Sequence, residues 1–202
     1  VFTSDNGPWL SYGDHSGSSG IFREGKGTTW EGGVRVPSII KFPNGLKPRI
    51  VSEPVMGIDW MPTFASITDS KLSKNKIDGK NIWPLLSGKT NKSPHKKLYF
   101  YYRVNELHSI RMDEWKIHFK RTYRSLNGKN GGKDGMPVKY DMNLLEKNEL
   151  YNLKNDPEER NNVYDDFPEI VLMMEKLGIK AREELGDNLT DVIGKENREA
   201  RK

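Results

Sequence analysis

Two neighbours near the start of the sequence, Asp5 and Asn6, offer a carboxylate and an amide oxygen side by side. Oxygen donors of this kind suit a hard cation. They follow Val1-Phe2-Thr3-Ser4, a short β-prone run, and precede Gly7-Pro8, so the pair falls at a strand end where the chain turns. In open α/β sheets the ligand crevice lies at the carboxyl ends of strands. Asp5 and Asn6 are therefore candidate metal ligands, and Lys26 is a candidate anion contact. Lys26 stands in Gly25-Lys26-Gly27-Thr28-Thr29, where neighbours without side chains let an ammonium group approach an anion uncrowded. The loop over 9–24 carries Tyr12, Asp14, His15 and Arg23, and His15 is the residue there suited to a substrate hydroxyl or a leaving oxygen. Each feature also has a plainer reading. Asp-Asn-Gly-Pro is a common turn, a glycine-rich stretch is commonly only a loop, and an exposed loop histidine needs no ligand.

Taken together, in order and spacing, Phe2-Thr3-Ser4-Asp5-Asn6-Gly7-Pro8 and Gly25-Lys26-Gly27-Thr28-Thr29-Trp30-Glu31-Gly32-Gly33-Val34-Arg35-Val36-Pro37 closely resemble the sulfatase family of the alkaline-phosphatase-like superfamily. The resemblance implies that Asp5 and Asn6 are two of the oxygen ligands of an active-site Ca2+. It implies that Lys26 contacts the sulfate group, as a catalytic and substrate-binding residue, and that His15 lines the substrate entrance. Glu31 and Arg35 lie in the same motif and read as structural. The family's nucleophile is a formylglycine made from Cys or Ser in a Cys/Ser-x-Pro-x-Arg motif, accompanied by upstream Asp ligands, a Lys-x-His pair and a further His. This sequence has no cysteine, and its one Ser-x-Pro, Ser52-Glu53-Pro54, continues to Val55-Met56 where the motif requires Arg. No nucleophile is assigned. The expectation is a C-terminal portion of a sulfatase, inactive alone, whose partner is the N-terminal portion carrying the nucleophile.

Composition bounds the remaining possibilities. At 202 residues with 34% hydrophobic content and a mean hydropathy of -0.79, the chain suits a solvated surface and an incomplete core. Its net charge of +5 is spread along the chain and favours the approach of sulfated small molecules or glycans. No nucleic-acid motif accompanies that charge. The absence of cysteine excludes disulfides within these residues, and no run of 18 apolar residues provides a membrane span. The family resemblance implies a periplasmic or secreted protein.

The elements that must position these residues are legible in part. The fold class expected is α/β: the C-terminal part of an alkaline-phosphatase-like sulfatase sheet domain over 1–96, then a small α+β subdomain over 97–185. That subdomain has an antiparallel sheet and a packed C-terminal helix, and a polar tail occupies 186–202. The apolar run 36–42 reads as a buried strand of the main sheet. Asp59 reads as the N-cap of a helix over 60–68 whose core face is Trp60, Met61, Phe64 and Ile67. A short helical turn is expected within 77–88, and 89–97 reads as a linker. Strands are expected over 98–102, 108–112, 115–120 and 149–153. In the third of these, Trp115, Ile117 and Phe119 read as buried and Lys116, His118 and Lys120 as solvent-facing. The stretch 127–137 reads as a flexible insertion, Asp156 as a turn cap, and 167–185 as an amphipathic helix interrupted by Gly178.

Three functions are weighed. The first is a Ca2+-dependent sulfatase acting on a carbohydrate or aryl sulfate ester. The second keeps the superfamily and changes the substrate to a phosphate or phosphonate ester. The third is a non-catalytic polyanion-binding module that works through its basic surface.

Overall fold

The computed structural model describes residues 1–43 and 45–197. In chain order its elements are β1 (Phe2–Thr3), α1 (Glu31–Val34), β2 (Ser38–Ile39), α2 (Trp60–Ile67), α3 (Trp83–Leu86), β3 (Lys97–Tyr102), β4 (Glu106–Met112), β5 (Trp115–His118), β6 (Arg121–Ser125), β7 (Asp141–Leu145), β8 (Glu149–Asn152) and α4 (Pro168–Leu185). They fall into two compact units, one of Val1–Asp5 with Ser38–Lys96, the other of Asn6–Pro37 with the chain from Lys97 onward. The division expected at 96/97 thus does not hold 6–37 together with 38–96. The backbone and side chains of 6–37 instead hydrogen-bond to residues beyond 97, as Glu31 N does to Glu159 and Arg124 does to the Lys26 carbonyl.

In the first unit β1 pairs antiparallel with β2, Phe2 opposite Ile39 and Thr3 opposite Ser38. The buried strand expected over 36–42 is confined to two residues, and Ile39 remains 63% exposed because nothing described in this unit packs over it. The helix expected over 60–68 is present as α2, but with its buried side exchanged. Met61 and Phe64 are exposed, whereas Pro62 and Thr63 are buried. Thr63 decides the orientation: its hydroxyl donates to the Asp59 carbonyl at 2.6 Å and accepts from Ile82 N at 3.0 Å, which brings α3 and its buried Leu85 against that side. Asp59 occupies the N-cap position of α2 as expected, but its side chain makes no capping hydrogen bond there. Its buried carboxylate accepts from Met56 N and Lys80 N and meets His95 Nε2, each at 2.8 Å. One carboxylate thus ties three separate loops.

The second unit is built on an antiparallel sheet of order β3-β4-β5-β8, with Ile110 opposite Ile117 and Ile117 opposite Leu150. The expected strands and the turn at Asp113-Glu114 are present, with Met112 paired to Trp115. Sequence reading missed the separate ladder β6-β7, in which Arg121 faces Leu145 and Ser125 faces Asp141. One face of the large sheet is covered by α4, where Val171, Met174 and Ala181 close a core with Leu107, Ile110, Ile117, Phe119 and Leu150. Gly178 is part of that packing rather than a break in it, since a Cβ there would stand 2.7 Å from the Phe119 ring.

The opposite face of β5 overturns an expectation. Lys116 and His118 are fully buried, because the segment at 30–31 and Glu159 cover the face that alternation assigns to water. Lys116 Nζ lies 2.8 Å from Glu31 Oε1 and 3.2 Å from Glu159 Oε1. His118 Nε2 meets Glu159 Oε1 at 2.7 Å, and its Nδ1 accepts from Arg121 Nη2 at 2.8 Å. Those partners define a neutral imidazole protonated at Nε2. Burial, reinforced by the Arg121 and Lys116 cations, pushes its pKa well below the usual value. Burial likewise pushes Arg121 down to about 10, so it remains a cation at neutral pH. Trp30, also buried, stacks on His118 at 3.9 Å and carries the Arg23 guanidinium 3.6 Å from its ring centroid.

Two stretches expected to be loose are bonded back. In 127–137, Gly132 N donates to Ser11 O at 2.9 Å, and Val138 N just beyond donates to the same oxygen. In the expected tail, buried Asp187 accepts from Leu107 N at 3.1 Å and Arg182 Nε at 2.8 Å, while Tyr101 OH donates to Gly186 O. Residues 198–202 of that tail lie outside the described residues. The Asp156 turn is as expected, its carboxylate accepting from Arg160 N and Asn161 N at 2.8 Å.

Candidate functional site

The glycine-rich motif residues of the second unit are knitted by their own backbone. Gly7 N donates to Gly33 O at 3.0 Å, Lys26 N to Pro8 O at 2.8 Å, and Gly32 N to Arg23 O at 2.9 Å. The approach is so close that a Cβ on Gly7 would collide with the Gly32 carbonyl. A 3-10 segment, Leu10–His15, follows Pro8, and Trp9 at its head packs edge-on to Tyr12 at 5.1 Å. Thr28 Oγ1 closes the turn after Lys26 by donating to Gly25 O at 2.9 Å.

Lys26 thereby stands on a fixed turn. Its Nζ is 4.9 Å from the centroid of the Trp9 ring, and among the described residues it has no carboxylate partner. Its carbonyl accepts from Arg124 Nε at 3.1 Å and also from Arg124 Nη2. At Glu24 the carboxylate accepts from Ser125 Oγ at 2.6 Å, and burial, opposed by that bond, pushes its pKa up.

Of the other expected residues, His15 is exposed on its loop with Nε2 3.7 Å from Asp14 Oδ1. Asp5 is exposed and belongs to the first unit, and Asn6 is half-buried and belongs to the second. Among the described residues no three His, Cys, Asp or Glu side chains gather into a metal-binding group. A carboxylate and an amide oxygen in sequence still have the donor chemistry a hard cation takes, as a partial set. Glu31 and Arg35 behave as read: Glu31 is buried against Lys116, and Arg35 lies 3.8 Å from Glu31 and over the Phe22 ring. Sequence reading missed Arg124 and Trp9. The alternation of Thr122 and Arg124 with Tyr123 was a strand signal that would have placed Arg124 on an element, though not beside Lys26.

Comparison with known proteins gives this site its context. Residues 93–198 match the model of the C-terminal region of aryl-sulfatase, and residues 17–127 match that of the N-sulphoglucosamine sulphohydrolase C-terminal region. Arylsulfatase A of Bos taurus is 34% identical over 84% of this chain and 34% of its own length. Steryl-sulfatase of Mus musculus is 37% identical over 66% of this chain and 22% of its own length. The chain thus spans between about a fifth and about a third of the length of these curated relatives. The crystal structure of a sulfatase from Pseudoalteromonas sp. superposes with a TM-score of 0.69 at 26% identity, covering 93% of this chain and 38% of that one. The two family models together span almost all of the described residues and agree with the motif at Lys26: the chain belongs to the sulfatase family and corresponds to its C-terminal region.

Proposed function

We propose that the intact protein hydrolyses sulfate esters of a carbohydrate or aryl compound, and that this chain supplies its sulfate-contacting cation, Lys26. The observation that carries the reading is Lys26 itself, an ammonium that has no carboxylate partner among the described residues and stands on a turn whose backbone is fixed on both sides. In this reading Nζ donates hydrogen bonds to a sulfate oxygen and stabilises the negative charge that develops as the ester bond breaks. Asp5 and Asn6 would hold a hard divalent cation, Ca2+ by family resemblance, within a ligand set completed elsewhere. When bound, that ion supplies charge neutralisation at the sulfate oxygens. His15, exposed on the loop after Trp9, serves the substrate side of the site. The nucleophile, a formylglycine, is contributed by sequence outside residues 1–202, so these residues alone are inactive. The partner this requires is the N-terminal portion of the same sulfatase, and the reading carries with it a periplasmic or secreted protein.

The test is turnover of matched aryl sulfate and aryl phosphate esters by the full-length protein and by its Lys26→Ala variant. Sulfate is expected to be the better substrate, and K26A is expected to lose about 10²- to 10³-fold in kcat, the loss typical of a transition-state charge donor. Faster hydrolysis of the phosphate ester would move the protein to the second reading. Full activity in K26A would remove Lys26 from the site.

A further inference from the structure

Lys26 is held by a residue 98 positions away. Arg124 projects from β6, and two of its donors, Nε and Nη2, converge on the Lys26 carbonyl. The same guanidinium fills the space beside Gly27, whose φ is +89° and where any Cβ would collide with it. Its position is fixed from a third direction by Tyr140, with Cζ 4.7 Å from that ring, and the Tyr140 hydroxyl accepts from Ser11 N at 3.1 Å. The next residue of β6, Ser125, bonds Glu24, so one strand grips the turn on both sides of Gly25.

The turn does not need Arg124 in order to close. Lys26 N already bonds Pro8 O, and Thr28 Oγ1 already bonds Gly25 O. What the guanidinium adds is the orientation of the peptide plane on the carboxyl side of Lys26, while Pro8 fixes the plane on the amino side. With both planes set, the Cα–Cβ direction of Lys26 is set, and only its side-chain torsions remain free. Arginine suits this task because its planar fork delivers two donors at once and stacks on an aromatic ring, whereas lysine offers a point charge on a flexible stem.

We propose that Arg124 is a positioning residue for catalysis, acting through Lys26 by fixing the turn that aims its ammonium group. This rests on the sulfate-contacting role of Lys26 and deepens it. The experiment is a double-mutant cycle in the full-length protein, reading kcat and KM for an aryl sulfate ester in the parent, R124A, R124K, K26A and K26A/R124A, with urea unfolding as a control on the fold. R124A is expected to lose about 10²-fold in kcat/KM, mainly in kcat, as a misplacement of about 1 Å does. K26A/R124A is expected to be no slower than K26A, because the residue through which Arg124 acts is already gone. Dilute guanidinium chloride is expected to restore part of the R124A activity and none of the K26A activity.

Losses that multiply in the double variant, or an R124A enzyme as fast as the parent, would overturn the proposal while leaving Lys26 in place. An unaffected K26A would sink the role of Lys26 and this proposal with it. Should R124A not fold, R124K decides by the same comparison against K26A/R124K. Loss in R124K alone that disappears in the K26A background supports the positioning role, and additive loss refutes it.

Discussion

Lys116 shows what a single buried charge commits its neighbours to. It sits on β5 with no exposed surface, and its two partners, Glu31 and Glu159, are as buried as it is. Withdrawing such charges from water is costly, and the pairing offsets that cost only while every partner is present. Substituting Lys116→Met keeps the approximate bulk but removes the cation that bridges the two carboxylates, leaving Glu31 only its longer contacts to Arg111 at 3.6 Å and Arg35 at 3.8 Å. The expected loss is about 3–5 kcal/mol of unfolding free energy, the cost of breaking a buried pair from one side. Urea denaturation of the full chain reads it as a lower midpoint. An unchanged midpoint would mean that the carboxylates relax to water. The cluster also explains why Glu31 and Arg35, which stand within the motif, do structural work: they face the ionic core of the second unit, while Lys26 a few residues earlier faces none of it.

At the scale of elements, α4 and the residue that directly follows β5, Phe119, illustrate how one packing contact can outweigh intrinsic propensity. Replacing a mid-helix glycine with alanine ordinarily gains about 1 kcal/mol. At Gly178 the new methyl would meet the Phe119 ring, itself only 4% exposed, and overpacking of this kind costs about 1–3 kcal/mol. Gly178→Ala is therefore expected to lower the thermal midpoint. In a Phe119→Leu background, where the ring is absent, the same change is expected to raise it. If G178A stabilises the parent chain, the helix and sheet separate more easily than their contacts imply.

For the second unit as a whole, pH dependence follows from two buried imidazoles. Burial pushes His108 from 6.5 down to about 4, opposed by its hydrogen bond to Glu106, and pushes His118 in the same direction, well below 6.5. The folded state therefore binds these protons less readily than the unfolded chain does. Their contribution to stability is fully present above the unfolded value near 6.5 and is lost as pH falls from there toward about 4 and below. Denaturant midpoints taken across that range are expected to fall with pH, and His108→Gln is expected to flatten the slope. A slope that His108→Gln leaves unchanged would assign the acid sensitivity to other groups.

The sequence by itself determined the family motif, the hairpin about Asp113-Glu114 and the long final helix. Each is a local pattern: residue types in fixed order, a period of two, a period between three and four. Alternation along β5 was also read correctly as two faces. It could not say what would cover them, and the face assigned to water became the ionic core, because Glu31 reaches Lys116 across 85 residues. The same limit hid the buried side of α2, chosen by the Thr63 hydroxyl rather than by the apolar stripe, and the grip of Arg124 on Lys26. Side-chain period is written into neighbouring residues. Burial and charge pairing depend on segments distant in the chain, and only the tertiary structure brings those together.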